Sequence, residues 1–214
     1  MGVPVLVLGE SGSGKTASLR NFEVDDIGLF NVASKPLPFR KKIPMYNSSD
    51  YGKIKGAMLK SDKMTFVIDD SQYLMAFAMF DKAKEVGYGK FTDIALDFKS
   101  MVDFIIYDIP DDKIVYLLHH TEVTELGKTK AKTSGKMIDN QLTLEGLFSV
   151  VLLAEADGTG YHFVTQSDGA TTCKSPMGMF PSNEIPNDLA EVDKVIREYW
   201  ELKPLKNKNT KEVK

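Results

Sequence analysis

Apolar residues along this chain fall into short runs separated by polar turns. Four continuous runs are rich in valine, leucine and isoleucine, which predicts strands buried on both faces of a parallel sheet. These runs are residues 3–8, 27–33, 64–68 and 113–119. Helices are predicted at residues 15–22, 50–60, 71–86, 91–107 and 187–200. In residues 91–107 the apolar side chains recur at helical spacing, which indicates packing rather than a ligand site.

The C-terminal part of the chain predicts a second set of strands. Residues 148–154 and 161–166 predict a strand pair joined by a glycine-containing turn, and residues 171–174 predict one more short strand. Strands that alternate with helices predict an α/β fold. We therefore expect one domain over residues 1–200, with a mostly parallel sheet and a C-terminal antiparallel strand extension.

Three segments are predicted to lack regular structure. Residues 34–44 are basic and contain three prolines, so a loop is expected there. Residues 121–141 are polar and contain Gly127 and Gly135, which predicts a mobile loop. The lysine-rich residues 201–214 predict a disordered tail.

Composition narrows the possible functions only slightly. Of the 214 residues, 43% are hydrophobic and 27% are charged, which is ordinary for a globular protein. The formal net charge of −3 creates no strong field for nucleic acid, so DNA binding would need a local basic patch. The single cysteine, Cys173, excludes an intramolecular disulfide and fits a cytoplasmic protein. No apolar run approaches the roughly 20 residues that span a bilayer, so no membrane partner is predicted.

Residues 9–16 carry the clearest chemical signal. They read GESGSGKT and match the phosphate-loop pattern G-x-x-x-x-G-K-[ST] in full. A predicted strand enters this loop and a predicted helix leaves it, which disfavours a chance glycine turn. Glycines let backbone amides wrap closely around phosphates. Lys15 should reach the β- and γ-phosphates of ATP or GTP, and Thr16 should offer its hydroxyl to Mg²⁺.

The predicted nucleotide-binding set extends one residue beyond this loop. Its members are Gly9, Glu10, Ser11, Gly12, Ser13, Gly14, Lys15, Thr16 and Ala17.

An acidic strand end supplies the expected partner for this loop. Residues 66–70 read FVIDD, an apolar strand that ends in two carboxylates. Asp69 is predicted to hold Mg²⁺ through water, because hard cations prefer oxygen ligands. Asp70 is predicted either to orient or deprotonate the attacking water or to cap the following helix, and both roles stay open.

Five segments of the chain resemble the RecA-like ATPase core. They are GESGSGKT at 9–16, GLFNVASKPLPFR at 28–40, KMTFVIDDSQYL at 63–74, LLHHTEVTELGKTKAKTSGKMIDNQLTLEGLFSVVL at 117–152 and YHFVTQSDGATTCKSPMGMFP at 161–181. More closely, the chain resembles short phage-encoded RecA-core proteins, described as AAA-type ATPases and in some cases as single-strand annealing proteins. The first segment is specific only to the P-loop superfamily, whereas residues 117–181 point to this family.

The resemblance implies a three-layer RecA-like P-loop fold and a fuller function. It implies an ATP-binding, ATP-hydrolysing protein that uses Mg²⁺ and acts on single-stranded DNA in phage recombination, annealing or replication. It also implies a ring or filament of identical chains with ATP at the subunit interface. A single-stranded-DNA-binding protein and the host cytoplasm are the implied partner and location.

Further residue roles follow from the resemblance alone. The fourth core strand ends at His119 and His120, and sensing of the γ-phosphate is carried over to His120 as a catalytic role. A histidine pair that simply caps the strand is the alternative. Lys174 is carried over as a finger that reaches the γ-phosphate of a neighbouring subunit, with a surface lysine as the alternative.

The loop after His120 is implied to bind the DNA backbone. Its candidate contacts are the side chains of Lys128, Lys130, Lys132 and Lys136. The loop contains no aromatic residue, so base stacking is not evident in it. An ordinary solvated loop is the alternative.

Two features depart from the family pattern. Ser34 stands where RecA-like proteins usually carry a catalytic glutamate, so hydrolysis is expected to be weak or to rely on Asp70 or Glu10. The first strand begins at Val3 without a polymerisation segment before it, which argues against stable filaments.

Three other functions stay open. They are a nucleotide-binding module with little or no hydrolysis, an AAA-type motor and a nucleotide kinase. A motor of that type has a helical lid after the core, where this chain predicts strands. A kinase lid clusters arginines that bind phosphates with two prongs, whereas Arg20, Arg40 and Arg197 are scattered.

Overall fold

The computed structural model describes residues 1–134 and 143–205, whose strands join in one mixed sheet. These strands are β1 (Val3–Gly9), β2 (Ile27–Asn31), β3 (Met45–Asn47), β4 (Thr65–Asp69), β5 (Ile114–Val123), β6 (Thr129–Ala131), β7 (Val150–Asp157), β8 (Gly160–Val164) and β9 (Glu184–Pro186). Their order is β3-β2-β4-β5-β1-β7-β8-β9, and β6 pairs with β5 outside this order. The pairs from β3 to β7 are parallel, whereas β8, β9 and β6 pair antiparallel. The predicted α/β fold with its antiparallel C-terminal extension is confirmed.

Helices flank this sheet. They are α1 (Tyr51–Lys60), α2 (Gln72–Asp81), α3 (Gly89–Tyr107) and α4 (Leu189–Tyr199), with 3-10 helices at Thr16–Asn21 and Leu144–Leu147. Asp50 and Asp188 cap α1 and α4, because each carboxylate accepts a bond from a free amide of the first turn. In the described residues no helix is both long and apolar enough to cross a membrane.

Strand side chains alternate between two apolar cores. Leu6, Leu8 and Phe66 point to one face and pack with α1, α2 and α3. Val5 and Tyr116 point to the other face and pack with α4 and the first 3-10 helix. This alternation follows from the two-residue period of a strand and produces helices on both sides of the sheet.

The predicted packing stripe of α3 is confirmed. The side chains that it buries are those of Ile94, Phe98, Met101, Val102, Phe104 and Ile105. They contribute to the core cluster that contains Leu6 and Phe66, so this stripe packs against the sheet.

The structure differs from the predicted elements at several places. The helix after the phosphate loop is a six-residue 3-10 helix, Thr16–Asn21, and is shorter than the predicted residues 15–22. Residues 171–174 do not form a strand, because only isolated bridges join Thr171 to Thr129 and Lys174 to Val151. The short edge strands β3 and β9 were not predicted.

The predicted loop at residues 121–141 is wrong in its first part. β5 continues to Val123 and pairs antiparallel with β6. The chain reverses at Gly127, whose φ of 78° suits glycine, and Thr124 N–H donates to the Lys128 carbonyl across the turn at 2.9 Å. This strand pair was not predicted because its side chains are mostly polar and give no apolar pattern. Residues 135–142 and 206–214, which include the rest of the predicted loop and most of the predicted tail, lie outside the described residues.

A buried ion pair fastens α4 to the amino-terminal edge of the sheet. Arg197 is 3% exposed, and its Nε donates to Asp193 Oδ1 at 2.5 Å. The other guanidinium nitrogens donate to four oxygens at 2.8–3.0 Å: the carbonyls of Met64, Asp112 and Lys203, and Thr65 Oγ1. The planar guanidinium therefore joins the starts of β4 and β5 to the segment that follows α4.

Candidate functional site

Strand order brings the polar ends of several strands to one edge of the sheet. β5 lies between β1 and β4, and the register pairs Gly9 with His120. Asn31 at the end of β2 pairs with Asp69 at the end of β4. Because the carboxyl ends of parallel strands meet at the same edge, the phosphate loop and the acidic strand end converge there.

A cavity of about 250 Å³ opens above the phosphate loop at this edge. Most of the residues predicted for nucleotide and Mg²⁺ binding line it. Its lining consists of Ser11, Gly12, Gly14, Lys15, Thr16, Ala17, Lys35, Pro36, Pro38, Asp69, Asp70, His120 and Tyr161. Gly9, Glu10 and Ser13, the other members of the predicted set, belong to the same loop but do not line this cavity.

Lys15 lies inside the phosphate loop and is only 6% exposed. Its ammonium donates to the carbonyls of Gly9 at 2.7 Å and Glu10 at 2.8 Å. Burial lowers the pKa of Lys15 to about 8, although Asp70 and Asp69 act in the opposite direction. The loop thus holds a buried ammonium whose present partners are neutral carbonyls.

Thr16 and Asp69 meet at the base of the cavity. The Thr16 hydroxyl lies 3.0 Å and 3.1 Å from the two carboxylate oxygens of Asp69 and donates to them. Burial, followed by the nearby charge of Asp70, raises the pKa of Asp69 to about 6. A positive charge beside these oxygens would offset the free-energy cost of keeping the buried carboxylate ionised.

The donor set fits Mg²⁺ with few protein ligands. Among the described residues no group of three or more His, Cys, Asp or Glu side chains is arranged to hold a metal. Mg²⁺ usually keeps several waters and takes one or two carboxylates together with phosphate oxygens. The hydroxyl of Thr16 and the buried carboxylate of Asp69 match that requirement.

The Asp70 carboxylate forms hydrogen bonds with two side chains, one on each oxygen. Its Oδ2 accepts from Lys35 Nζ at 2.8 Å, and its Oδ1 lies 3.1 Å from His120 Nε2. Burial alone would raise the pKa of Asp70, but the bonds with His120 and Lys35 outweigh burial and lower it. The N-cap of α2 is Ser71, and the contacts with Lys35 and His120 hold the Asp70 carboxylate at the cavity.

The histidine pair splits between the core and the cavity. His119 is fully buried, with Nε2 2.8 Å from the Lys132 carbonyl and Nδ1 2.9 Å from Ser71 Oγ. A carbonyl only accepts, so Nε2 carries the proton, and burial lowers the pKa of His119 to about 4. His120 instead lines the cavity and contacts the Tyr73 ring edge to face, with ring centres 5.5 Å apart. The residue predicted to sense phosphate is therefore the member of the pair that reaches the cavity.

The phosphate loop requires glycine at position 14, where β8 packs against it. Gly14 has a φ of 91°, and a Cβ placed on it would lie 2.7 Å from Cδ1 of Tyr161. Tyr161 is the second residue of β8, the strand that begins the antiparallel extension of the sheet, and its ring packs against the loop. A substitution at Gly14 would both strain the backbone and displace this ring.

Four residues that line the cavity were not predicted as site residues, namely Lys35, Pro36, Pro38 and Tyr161. Lys35 lay in a segment predicted only to be a basic loop, and Tyr161 lay in a predicted strand. Lys35 lies within residues 28–40 and Tyr161 within residues 161–181, two of the segments that resemble the RecA-like core. That location was the signal that could have indicated a role for them. Sequence pattern alone does not indicate that either residue reaches the phosphate loop.

A wider groove adjoins the cavity along α2. Its volume is about 740 Å³, and it shares Ser11 and His120 with the phosphate cavity. Its lining also includes Tyr73, Met79, Phe80, Lys132 and Ser134 from α2 and the segment after β6. Phe80 is 75% exposed. The aromatic side chains that the lysine-containing loop lacks are thus supplied by the opposite wall of this groove.

The predicted DNA-contact lysines have different surroundings. Lys128 and Lys132 are exposed, whereas Lys130 pairs with Glu122 at 3.0 Å. The Lys132 backbone is held on both sides, because its N–H donates to the His120 carbonyl and its carbonyl accepts from His119. Lys136 lies outside the described residues.

Lys174 and Ser34 lie outside the cluster of cavity residues. Lys174 bridges to Val151 on β7 and does not line the phosphate cavity. Its predicted contact with a neighbouring subunit stays a prediction. Ser34 is exposed, with a φ of 54° that few residues other than glycine adopt.

A scan against models of protein families and a search of curated proteins both gave no match to this chain.

Proposed function

We propose that this protein binds a magnesium nucleoside triphosphate, ATP by resemblance, in the loop at residues 9–16 and hydrolyses it slowly. The observation that carries this proposal is the contact between Thr16 and Asp69, which are far apart in sequence yet 3.0 Å apart beside the buried ammonium of Lys15. Three side chains with the chemistry that a magnesium triphosphate requires are assembled at one cavity.

Each of these residues has a defined part in binding. The amides of the glycine loop donate to phosphate oxygens, and Lys15 exchanges its bonds to neutral carbonyls for bonds to charged phosphates. Thr16 and Asp69 hold the Mg²⁺, which when bound neutralises part of the phosphate charge. The 3-10 helix after the loop has only six residues, so loop amides and Lys15 supply most of the attraction for phosphate.

Hydrolysis is expected to be slow because none of the described residues that line the cavity is a strong base. Ser34 has no basic group, and the lowered pKa of Asp70 makes its carboxylate a weak proton acceptor. Asp70 instead orients a water molecule near the γ-phosphate, and His120 beside it senses that phosphate. A nucleotide-binding module that does not hydrolyse ATP is the competing function that this geometry favours most.

The pH dependence of binding tests the role of Lys15. In the free protein its pKa is about 8, so the ammonium is lost as pH rises through this value. Affinity for Mg·ATP should therefore fall above pH 8, with a limiting slope of about tenfold per pH unit for a single required proton. Titration calorimetry from pH 7 to pH 10 measures this slope. In Lys15→Met the slope should disappear, and a wild-type affinity that stays constant over this range would contradict the assignment.

The resemblance and the adjoining groove support a second part of the proposal. The protein is a RecA-like ATPase that acts on single-stranded DNA in phage recombination, annealing or replication, as a ring or filament with ATP between subunits. The groove along α2 combines Tyr73 and Phe80 with Lys132, and aromatic and basic side chains together suit single strands. His120 borders both the groove and the phosphate cavity, so DNA and phosphate would be bound side by side.

Replacing Lys128 and Lys132 by alanine tests this DNA assignment. Each lysine that contacts a phosphate contributes about 0.7 to the logarithmic salt slope for single strands, so the double variant should reduce the slope by about 1.4 and weaken binding. Fluorescence anisotropy with a labelled oligonucleotide at several salt concentrations measures both effects. Lys53→Ala with Lys60→Ala, two exposed lysines on α1, is the control with the same charge change. Equal affinity and slope in both double variants would contradict the assignment.

The alternative enzymes receive less support from the geometry. None of the three arginines, all of which lie in the described part of the chain, lines the phosphate cavity. Arg197 is held in the buried ion pair, and Arg20 donates to the Asn187 carbonyl at 2.7 Å. A kinase therefore lacks its usual phosphate-binding arginines here. Single-turnover hydrolysis with and without single-stranded DNA separates the functions, since stimulation by DNA favours the proposal and transfer to a small acceptor favours a kinase.

A further inference from the structure

We infer that Lys35 is a second phosphate-binding cation, supplied by the same chain as the phosphate loop, and that it contacts the terminal phosphate of the bound nucleotide. This inference rests on the proposed nucleotide site and names a residue that distinguishes a triphosphate from a diphosphate. It also gives the chain a terminal-phosphate contact that does not depend on a neighbouring subunit.

The Lys35 ammonium lies at the phosphate cavity. Lys15 and Lys35 are the lysines among the described residues that line the phosphate cavity. Lys15 is buried inside the loop, whereas the Lys35 side chain is 56% exposed and reaches the cavity from the opposite wall. Its Nζ lies 2.8 Å from Asp70 Oδ2 and 5.1 Å from the centre of the Tyr73 ring. The two cations thus bracket the space above the loop.

The Lys35 backbone is held in place by the side chain of Asn31. Asn31, at the end of β2, is 2% exposed. Its Nδ2 donates to the Lys35 carbonyl at 2.6 Å, and its Oδ1 accepts from the Lys35 N–H at 3.3 Å. A buried side chain therefore clamps both backbone groups of Lys35. The clamp fixes the point from which the Lys35 side chain extends and makes Asn31 a positioning residue.

The backbone before and after Lys35 adds to this restraint. Ser34 adopts a φ of 54°, a conformation that costs free energy for a residue with a Cβ. Pro36 follows Lys35 and restricts the conformation of the residue before it. The turn thus sends the Lys35 side chain over the cavity instead of out into solvent.

Lys35 can exchange its partner, Asp70, for a phosphate. The Asp70 carboxylate accepts from both Lys35 and His120, so it keeps one donor when the other leaves. A terminal phosphate carries more negative charge than one shared carboxylate oxygen, and an exposed ammonium moves to it at little cost. The β-phosphate lies deeper, within reach of Lys15, so a diphosphate does not need Lys35.

Titration calorimetry with Mg²⁺ and either ADP or a non-hydrolysable ATP analogue tests this inference. Lys35→Ala should weaken the triphosphate analogue by about tenfold, the size expected for one hydrogen bond to a charged group. ADP affinity should change by less than about twofold, which is within the usual effect of an exposed substitution. Lys35→Arg should retain most of the preference for the triphosphate.

Lys42→Ala is the matched control, because Lys42 is an exposed lysine of the same basic loop and does not line the cavity. It should leave both affinities unchanged. Equal triphosphate affinity in Lys35→Ala and the wild type, or an equal loss for both nucleotides, would overturn the inference while leaving the proposed function intact. A wild-type protein that binds neither nucleotide would contradict the proposed function itself.

Discussion

Lys15→Met is expected to lower the affinity for Mg·ATP by roughly a hundredfold, because two charge-assisted hydrogen bonds to phosphate oxygens are lost. The free protein should not lose stability. Burial lowers the pKa of Lys15, which means that holding the charged ammonium in the loop costs free energy. Methionine has a similar length and removes that cost. Titration calorimetry measures the affinity, and thermal unfolding of the free protein measures the stability.

Lys60→Met provides the comparison, since Lys60 is exposed on α1. It should bind Mg·ATP as the wild type does. A Lys15→Met protein that is folded and still binds with wild-type affinity would refute the assignment of the loop. A large fall in its melting temperature would instead show that Lys15 has a structural role.

Arg197→Ala is expected to destabilise the fold by roughly 3–5 kcal/mol, the usual cost of removing one partner from a buried ion pair. The change leaves the Asp193 carboxylate unpaired in the core and also removes the bonds to Met64, Thr65, Asp112 and Lys203. Denaturant unfolding measures the free energy of unfolding. Nucleotide affinity well below the unfolding temperature should not change, because this clamp lies at the sheet edge opposite the phosphate loop.

Two companion variants show whether the charge or the shape matters. Arg40→Ala removes an exposed arginine and should change the free energy of unfolding by less than about 0.5 kcal/mol. Arg197→Met combined with Asp193→Leu should recover most of the stability, because well-packed apolar side chains can replace a buried ion pair. An Arg197→Ala protein as stable as Arg40→Ala would contradict the role given to this clamp.

The sequence predicted those parts of the fold that depend on continuous apolar runs. β1, β2, β4 and the apolar part of β5 were recognisable because parallel strands are buried on both faces. Polar residues concealed the extension of β5 to Val123, since that part is stabilised by backbone pairing with β6. The three-residue edge strands β3 and β9 offered no pattern of their own. Residues 171–174 resembled a strand locally, but the fold gives them only isolated bridges.

The centre of the site was predictable and its far wall was not. Lys15, Thr16, Asp69 and Asp70 follow strands whose carboxyl ends must meet at one edge. The position of Lys35 depends on the Asn31 clamp and the turn at Ser34. Residues 34–44 gave no hint of this geometry, because prolines and lysines indicate only an irregular basic segment.

The most direct test of the account is a crystal structure of the protein grown with Mg²⁺ and a non-hydrolysable ATP analogue. We predict the β-phosphate inside the loop at residues 9–16, with Lys15 Nζ moved from the carbonyls of Gly9 and Glu10 to the phosphate oxygens. Thr16 and Asp69 should then be separated by Mg²⁺. An analogue bound elsewhere, with Lys15 still on those two carbonyls and Thr16 still in contact with Asp69, would contradict the account.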